Sequence, residues 1–278
     1  MLILSNKTYN FTVAYFSFVF FFMFFFINTV LFSQECQPTN YPFKSGEQID
    51  YDVFYNMGKI WVPAGRVRFS VKDSVYNNKA CFLFDGKGKS LKSYDWFFKV
   101  RDHYSSLVEK NTFEPQKFTR SVNEGDFKLY YDYRFNNKTE KATVYDDKID
   151  HSKKSIIDFP NCSYDVITSV YYARTLDYSN VNYNDTIQLS MMVDKKIYND
   201  LYIRYLGTET IEDQYGKKHD CIKFSPQLIE GTLFKEGESM YIYVTNDKNR
   251  IPIYIEAEIV VGSVKAYIKS MKNIKYPA

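Results

Sequence analysis

The sequence predicts an all-β fold, mainly antiparallel, in which about a dozen strands form a strongly curved sheet or an open or half β-barrel beside one main helix. Two observations lead to this prediction. Apolar and polar residues alternate over many short runs from Gln48 onward, and turn-forming pairs such as Asn77-Asn78 and Asn136-Asn137 separate the runs. No repeat of fixed period is present, which argues against a solenoid or propeller.

The first half of the sheet is predicted from strands with a period of two. Gln48–Tyr55 places Ile49, Tyr51, Val53 and Tyr55 on one face. The strictest alternation is that of Phe127–Phe135. The other predicted strands of this half are Val67–Val71, Ala80–Phe84, Val100–Val108, Lys117–Asn123 and Thr139–Tyr145.

One segment has helical spacing instead. Ser163–Leu176 carries apolar residues three and four positions apart behind Asn161 or Ser163 as a possible N-cap, and it is predicted as the main helix. A shorter helical turn is predicted at Ser93–Phe98.

The second half returns to strands. They are predicted at Ile187–Val193, Leu201–Ile211, His219–Phe224, Ser239–Thr245, Arg250–Ile259 and Ser263–Met271. We expect residues 34–278 to form a single β domain, with two packed halves, 34–160 and 161–278, as the alternative.

An apolar leader precedes the strands. Phe11–Phe32 is almost uninterrupted by polar residues, and Ser33 is a small residue at a suitable cleavage position. Residues 1–33 are therefore predicted to be a signal peptide, so that the mature chain starts at Gln34, is periplasmic or secreted, and does not span the membrane. The alternative is an uncleaved anchor, since about 20 apolar residues can cross a bilayer.

Charge argues against nucleic acid as a partner. The whole chain has a formal net charge of +3, and residues 34–278 have +2, because the leader contains Lys7 and no acidic residue. A nucleic-acid-binding protein would show a basic stripe. No cofactor motif was found either.

Four cysteines, Cys36, Cys81, Cys162 and Cys221, follow the leader. In an oxidising compartment they permit two disulfides, and all four are candidates. Cys36 and Cys162 lie in irregular segments. Cys81 and Cys221 lie in predicted strands, where a buried free thiol is the equal alternative.

Signatures of enzymes are mostly absent from the sequence. There is no G-x-S-x-G, H-E-x-x-H or G-x-G-x-x-G motif. Gly86–Ser90 has a phosphate-loop ending, but Leu83 stands where such a loop needs glycine, so a solvated hairpin tip is predicted. His103, His151 and His219 lie in unrelated segments, and neither a catalytic nor a metal site is predicted from them.

Aromatic and cationic residues are the candidates for ligand binding. Asp95, Arg101 and Asp102 form a charged cluster amid aromatics, interpreted first as an ion pair that positions the Trp96 turn and alternatively as a ligand-orienting pair. The full candidate set is Trp61, Trp96, Phe97, Arg101, Tyr131 and Arg250.

Short motifs resemble a known family when taken in order. They are Phe43-Lys44-Ser45-Gly46-Glu47, Tyr94-Asp95-Trp96-Phe97-Phe98-Lys99-Val100-Arg101-Asp102, Asp165-Val166-Ile167, Asn249-Arg250-Ile251-Pro252 and Val261-Gly262-Ser263-Val264-Lys265-Ala266. This set resembles the DUF3108 family of exported bacterial proteins, which implies a β-rich envelope protein and no catalytic residues. By analogy the fold is similar to the open barrels of the lipoprotein carriers LolA and LolB.

Three functions are compatible with these observations. The first is a non-enzymatic envelope protein that holds a lipid or other amphiphile in its curved sheet, against inward residues such as Tyr51, Leu129 and Met191. The second is a scaffold or assembly module that binds other envelope proteins. The third, the least favoured, is a hydrolase of envelope polymers.

Overall fold

A computed structural model describes residues 36–38, 40–58, 60–96, 98–149, 152–229, 237–259 and 262–277. The predicted leader and the candidates Phe97 and His151 lie outside the described residues. Within them, no helix combines the length and the apolar character that a membrane span requires.

The described residues form fifteen strands and one α-helix, so the predicted all-β class is confirmed. The strands are β1 Gln48–Met57, β2 Ile60–Tyr76, β3 Lys79–Ser90, β4 Arg101–Glu109, β5 Pro115–Glu124, β6 Phe127–Asn136, β7 Lys141–Tyr145, β8 Lys154–Asp158, β9 Ser163–Asp165, β10 Thr186–Val193, β11 Lys196–Glu212, β12 Lys218–Pro226, β13 Met240–Thr245, β14 Pro252–Glu258 and β15 Ser263–Lys272. The helix α1 is Val166–Ala173.

All strands belong to one sheet that follows the chain as a meander. The order is β8 to β1, then β15 to β9, so that the first and last strands, β1 and β15, pair with each other. All pairs are antiparallel except β9 with β10, which is parallel. The sheet is barrel-like but unclosed, with β8 and β9 as its two edges.

Turn chemistry fixes this succession of hairpins. Asn77 and Asn78 both have positive φ, 48° and 61°, between β2 and β3. A two-residue hairpin turn with both residues left-handed matches the right-handed twist of the strands, and asparagine tolerates that conformation better than most residues. The β2–β3 pair then continues in register from Tyr76–Lys79 to Gly65–Ser90.

The helix fills the concave side of the first half of the sheet. Ile167 and Tyr171 are buried in a large apolar cluster together with Phe84 of β3, and the Tyr171 and Phe84 rings stack at 3.9 Å. The helix approaches β3 closely at Gly86, where a Cβ atom would lie 3.1 Å from Ile167 Cδ1. Gly86–Ser90 is therefore the end of a strand, and the prediction of a hairpin tip there was wrong.

The helix is shorter than the sequence predicted. Ser163–Asp165 forms β9 and pairs with Ser190–Met192 of β10, so the helix begins only at Val166. Asp165 is the N-cap and accepts a hydrogen bond from the Thr168 amide, whereas the sequence predicts Asn161 or Ser163 as the cap. The predicted turn near Ser93 is a 3-10 turn at Lys92–Tyr94.

The cysteines form one disulfide within the described residues, between Cys36 and Cys162. Cys81 and Cys221 are buried free thiols, so the alternative of two disulfides was wrong. They lie in β3 and β12, which are far apart in the order of the sheet, and burial raises the pKa of each thiol.

Candidate functional site

The candidate site lies at the break between β8 and β9, which we call the seam. Near this break, several apolar and aromatic side chains pack against the core while staying partly exposed, namely Tyr104, Tyr131, Phe135, Ile157, Leu189 and Ile197. The turn between β10 and β11 packs across the break onto β5, β6 and the end of β7. We include this turn in the seam.

Arg120 is the central residue of the seam. It lies on β5 between the buried Phe118 and Val122, so the alternation of the strand turns its side chain inward. The side chain is only 13% exposed and forms an ion pair with Asp194 of the β10–β11 turn. Within the described part of the chain its Nε atom is buried and has no hydrogen-bond partner.

Tyrosines surround this guanidinium. Its Cζ atom lies 5.8 Å from the centroid of the Tyr104 ring, and Tyr133 is buried nearby. Burial raises the pKa of both Tyr104 and Tyr133, so both remain neutral phenols. Burial also acts to lower the pKa of Arg120, but Tyr104 and Asp194 outweigh it, and the pKa is raised. Arg120 is a permanent cation inside an aromatic pocket.

The β10–β11 turn is held by contacts that are individually weak. Lys195 Nζ donates to Asp146 at 2.7 Å and lies 4.8 Å from the centroid of the Tyr131 ring. Asp194 and Lys195 have φ values of 48° and 66°, in the left-handed region that non-glycine residues adopt at some cost. Exposed ion pairs such as Lys195–Asp146 contribute about 0–1 kcal/mol, so this contact alone holds the turn only weakly.

The seam is suited to binding an anion attached to an apolar chain. The buried guanidinium has an unused donor, and the phenol groups can supply further hydrogen bonds. Leu189 and Ile197 offer apolar contact beside them. In the closed turn the Asp194 carboxylate occupies the place that such an anion would take.

The two described histidines, His103 and His219, lie in separate parts of the sheet. His103 on β4 pairs with Asp85 at 2.6 Å, and His219 on β12 pairs with Asp213 at 2.9 Å. These strands are far apart in the order of the sheet. In the described ranges no group of three or more His, Cys, Asp or Glu side chains is placed to hold a metal ion.

A cavity opens beside β9, at the end of the sheet that carries the β2–β3, β4–β5 and β6–β7 turns, and Phe135 lines both this cavity and the seam. It has a volume of about 700 Å³ and surrounds the Cys36–Cys162 disulfide. Polar side chains such as Asn77, Gln116 and Asn137 line much of it.

The described members of the predicted ligand-binding set lie at several places in the fold. Tyr131 lies at the seam, whereas Arg101 binds Asp95 in the β3–β4 loop with Nη2 to Oδ2 at 2.6 Å. Trp61 lies beneath Lys265 Nζ at 4.3 Å, and Arg250 lies over the Tyr178 ring at 4.8 Å. Trp96 is in the same β3–β4 loop as the Asp95–Arg101 ion pair.

The sequence contained a signal for the residues that were missed. Arg120 stands between Phe118 and Val122 on the apolar face of a strand that alternates regularly. A cation in such a position must find an anionic partner or a ligand. Its partner Asp194 is 74 residues away, so the pairing could be found only once the sheet was folded.

Comparisons with known proteins give the family and the fold. The chain has no significant match among curated proteins. It is similar to a crystal structure of a beta-barrel-like protein of the domain of unknown function DUF1849 from Brucella abortus, with a TM-score of 0.54, 8% identity, and coverage of 82% of this chain and 98% of that one. This likeness concerns the fold alone. The family model described as a protein of unknown function, DUF3108, matches residues 50–269, and the chain therefore belongs to the DUF3108 family.

Proposed function

We propose that this chain is an exported, non-enzymatic protein of the cell envelope that binds an anionic amphiphile at the seam. The observation that carries the proposal is Arg120, whose buried guanidinium has an unpartnered Nε among the described residues and lies next to tyrosines at the edge of the apolar core. A carboxylate or phosphate would neutralise it, and an acyl chain would cover the apolar lining beside it.

Export is supported by two features. The apolar segment Phe11–Phe32 is typical of a signal peptide. The Cys36–Cys162 disulfide favours an oxidising compartment such as the periplasm or the extracellular space. A non-enzymatic role is supported by the character of the seam, where a fixed cation and neutral phenols bind rather than react.

The expected mode of binding is displacement of the turn. The ligand anion replaces Asp194 as the partner of Arg120, and the β10–β11 turn lifts. Because Asp194 is half exposed, its carboxylate returns to water at little cost. Each methylene group that then enters the seam contributes about 0.8 kcal/mol, so a medium-length acyl chain suffices for micromolar affinity.

Titration with a fluorescent fatty acid tests the proposal. The wild-type chain is expected to bind the probe with a Kd in the micromolar range, about −8 kcal/mol. Arg120→Gln should weaken binding by about 10- to 100-fold, because a charge-assisted hydrogen bond contributes about 1.5–3 kcal/mol. Arg66→Gln, which removes an equal charge from an exposed position on β2, is the matched control and should bind as the wild type.

A second variant protects the test against misfolding. Asp194→Asn leaves Arg120 in place but weakens the competing anion, so it should bind the probe more tightly than the wild type. Absence of probe binding by folded wild-type protein, or equal affinity of all three variants, would remove the amphiphile proposal.

One observation favours a second candidate, a scaffold of an envelope complex. β8 is an edge strand with an exposed Ile156 between Lys154 and Asp158. A strand from another protein could extend the sheet there. Cross-linking from position 156 in the cell envelope tests this role, which predicts a specific protein adduct.

A further inference from the structure

The same end of several hairpins carries exposed apolar side chains. The β1–β2 turn, the β3–β4 loop and the β5–β6 turn all lie at one end of the strands, because these strands alternate in direction. At this end Trp96 is 83% exposed, Phe98 42% and Phe127 43%. Ile60, at the start of β2, is also exposed. We call Trp96, Phe98 and Phe127 the aromatic rim.

Backbone hydrogen bonds hold the β3–β4 loop against the neighbouring hairpins, so the exposure of the rim side chains is a property of the fold. The Gly125 amide donates to the Lys99 carbonyl at 2.8 Å, and the Leu91 amide donates to the Ala64 carbonyl at 2.8 Å. The Phe98 ring lies against the β5–β6 turn, 3.1 Å from where a Cβ on Gly125 would be. These contacts join the β3–β4 loop to both neighbouring hairpins.

Lysines accompany the aromatics. Lys92, Lys99 and Lys128 are exposed, and within the described residues none of them forms an ion pair. The exposed acidic residue beside them is Asp126. Asp95 and Arg101 of the same loop neutralise each other. The rim therefore combines large apolar side chains with exposed lysines, whereas the other acidic residues of these loops, Asp95, Asp102 and Glu124, are partly or fully buried.

We propose that the aromatic rim docks on an anionic lipid membrane. Tryptophan prefers the boundary between headgroups and acyl chains, and phenylalanine side chains at loop tips can enter the outer part of the hydrocarbon. Lysines next to them keep their ammonium groups at the headgroup level, where anionic lipids attract them. A flat protein partner would leave the alternation of lysine and aromatic residues unexplained. The proposal does not depend on ligand binding at the seam.

Fluorescence of Trp96 reports docking directly, because the chain has only two tryptophans. In Trp61→Phe, Trp96 is the single emitter. The processed chain recovered after export is mixed with vesicles of phosphatidylethanolamine and phosphatidylglycerol, and in parallel with vesicles of phosphatidylcholine alone. The expected result is a blue shift and quenching by brominated acyl chains with the anionic vesicles only, both reversed by high salt.

Charge variants complete the test. Replacing Lys92, Lys99 and Lys128 by glutamine should weaken partitioning about 100-fold, since each lysine near an anionic surface contributes about fivefold. The matched control replaces Lys138, Lys217 and Lys218, exposed residues at the opposite end of the strands, and should leave partitioning unchanged. An unshifted Trp96 emission, an equal shift with both vesicles, or an equal loss in the control variant would overturn the proposal. Arg120→Gln should dock normally, which separates this result from failure at the seam.

Discussion

Removal of one partner of the buried ion pair between Arg174 and Glu47 is expected to destabilise the fold more than removal of a partner from any exposed pair. Arg174 Nη1 and Nη2 donate to the two Glu47 carboxylate oxygens at 2.6 and 3.0 Å. The side chains are only 4% and 0% exposed. Arg174 also donates to the Asn249 carbonyl, so that it joins the end of α1, the start of β1 and the β13–β14 loop.

The perturbation is Arg174→Met, which keeps much of the side-chain volume and removes the charge. It leaves the Glu47 carboxylate buried without its counter-ion, and removal of one partner of such a pair costs about 3–5 kcal/mol. Since domains of this kind are stable by about 5–15 kcal/mol, the variant should lose a large part of its stability. Arg174→Met combined with Glu47→Gln removes both charges, and its loss should be smaller than the sum of the two single losses.

Urea unfolding of the four proteins, monitored by circular dichroism, measures these differences. Arg204→Met is the control, because Arg204 forms a similar fork with Glu238 on the surface and should lose far less. A loss below about 1 kcal/mol for Arg174→Met, or strictly additive single losses, would refute the argument that burial makes this pair important.

Three further predictions concern particular residues. Burial raises the pKa of Asp165 from 3.8 to about 6, so the folded chain binds more protons than the unfolded chain between these two pH values. The stability that this group contributes at low pH should therefore fall by about 3 kcal/mol as the pH rises from about 4 to 6. Unfolding curves measured over a pH series should show this fall for the wild type and should lack it for Asp165→Asn. Thiol titration of the denatured, unreduced processed chain should find the two free cysteines, Cys81 and Cys221, and a count of zero or four would contradict the single disulfide. Gly86→Ala should be about 1 kcal/mol less stable than Gly88→Ala in parallel thermal melts, because a Cβ atom at position 86 would lie 3.1 Å from Ile167, whereas a Cβ atom at position 88 would have its nearest neighbour at 3.9 Å. Equal stabilities of the two variants would contradict this account of the helix position.

Strand alternation predicted the sheet well, because a half-buried strand imposes a period of two on its residues. β1 and β6 are found where Ile49–Tyr55 and Phe127–Phe135 alternate. The period of two does not predict which residue faces the core where a strand contains a register shift. The register shifts between Leu189 and Met191, and as a result Met192 is the residue buried in the core, whereas Met191 was expected there.

Helix boundaries and cysteine pairing depend on distant partners. Ser163–Asp165 fits a helical pattern as well as a strand, and only its pairing with β10 decides between them. Cys81 and Cys221 could not be distinguished from Cys36 and Cys162 by their spacing. Their state follows from the strand order, which places β3 and β12 apart.

The candidate site was predicted only in part. Tyr131 was named because it belongs to a regular aromatic strand. Arg120 was not, since its importance arises from the Asp194 pairing across the seam. The unclosed edge between β8 and β9 is a property of the whole sheet and leaves no local mark on the sequence.

Native mass spectrometry of the protein purified from its own envelope tests the central proposal most directly. The wild-type chain should carry a co-purifying anionic molecule with an acyl chain, and Arg120→Gln, purified in the same way, should carry much less of it. A wild-type protein that is folded and free of any such molecule, or an Arg120→Gln variant that retains it fully, would contradict amphiphile binding at the seam.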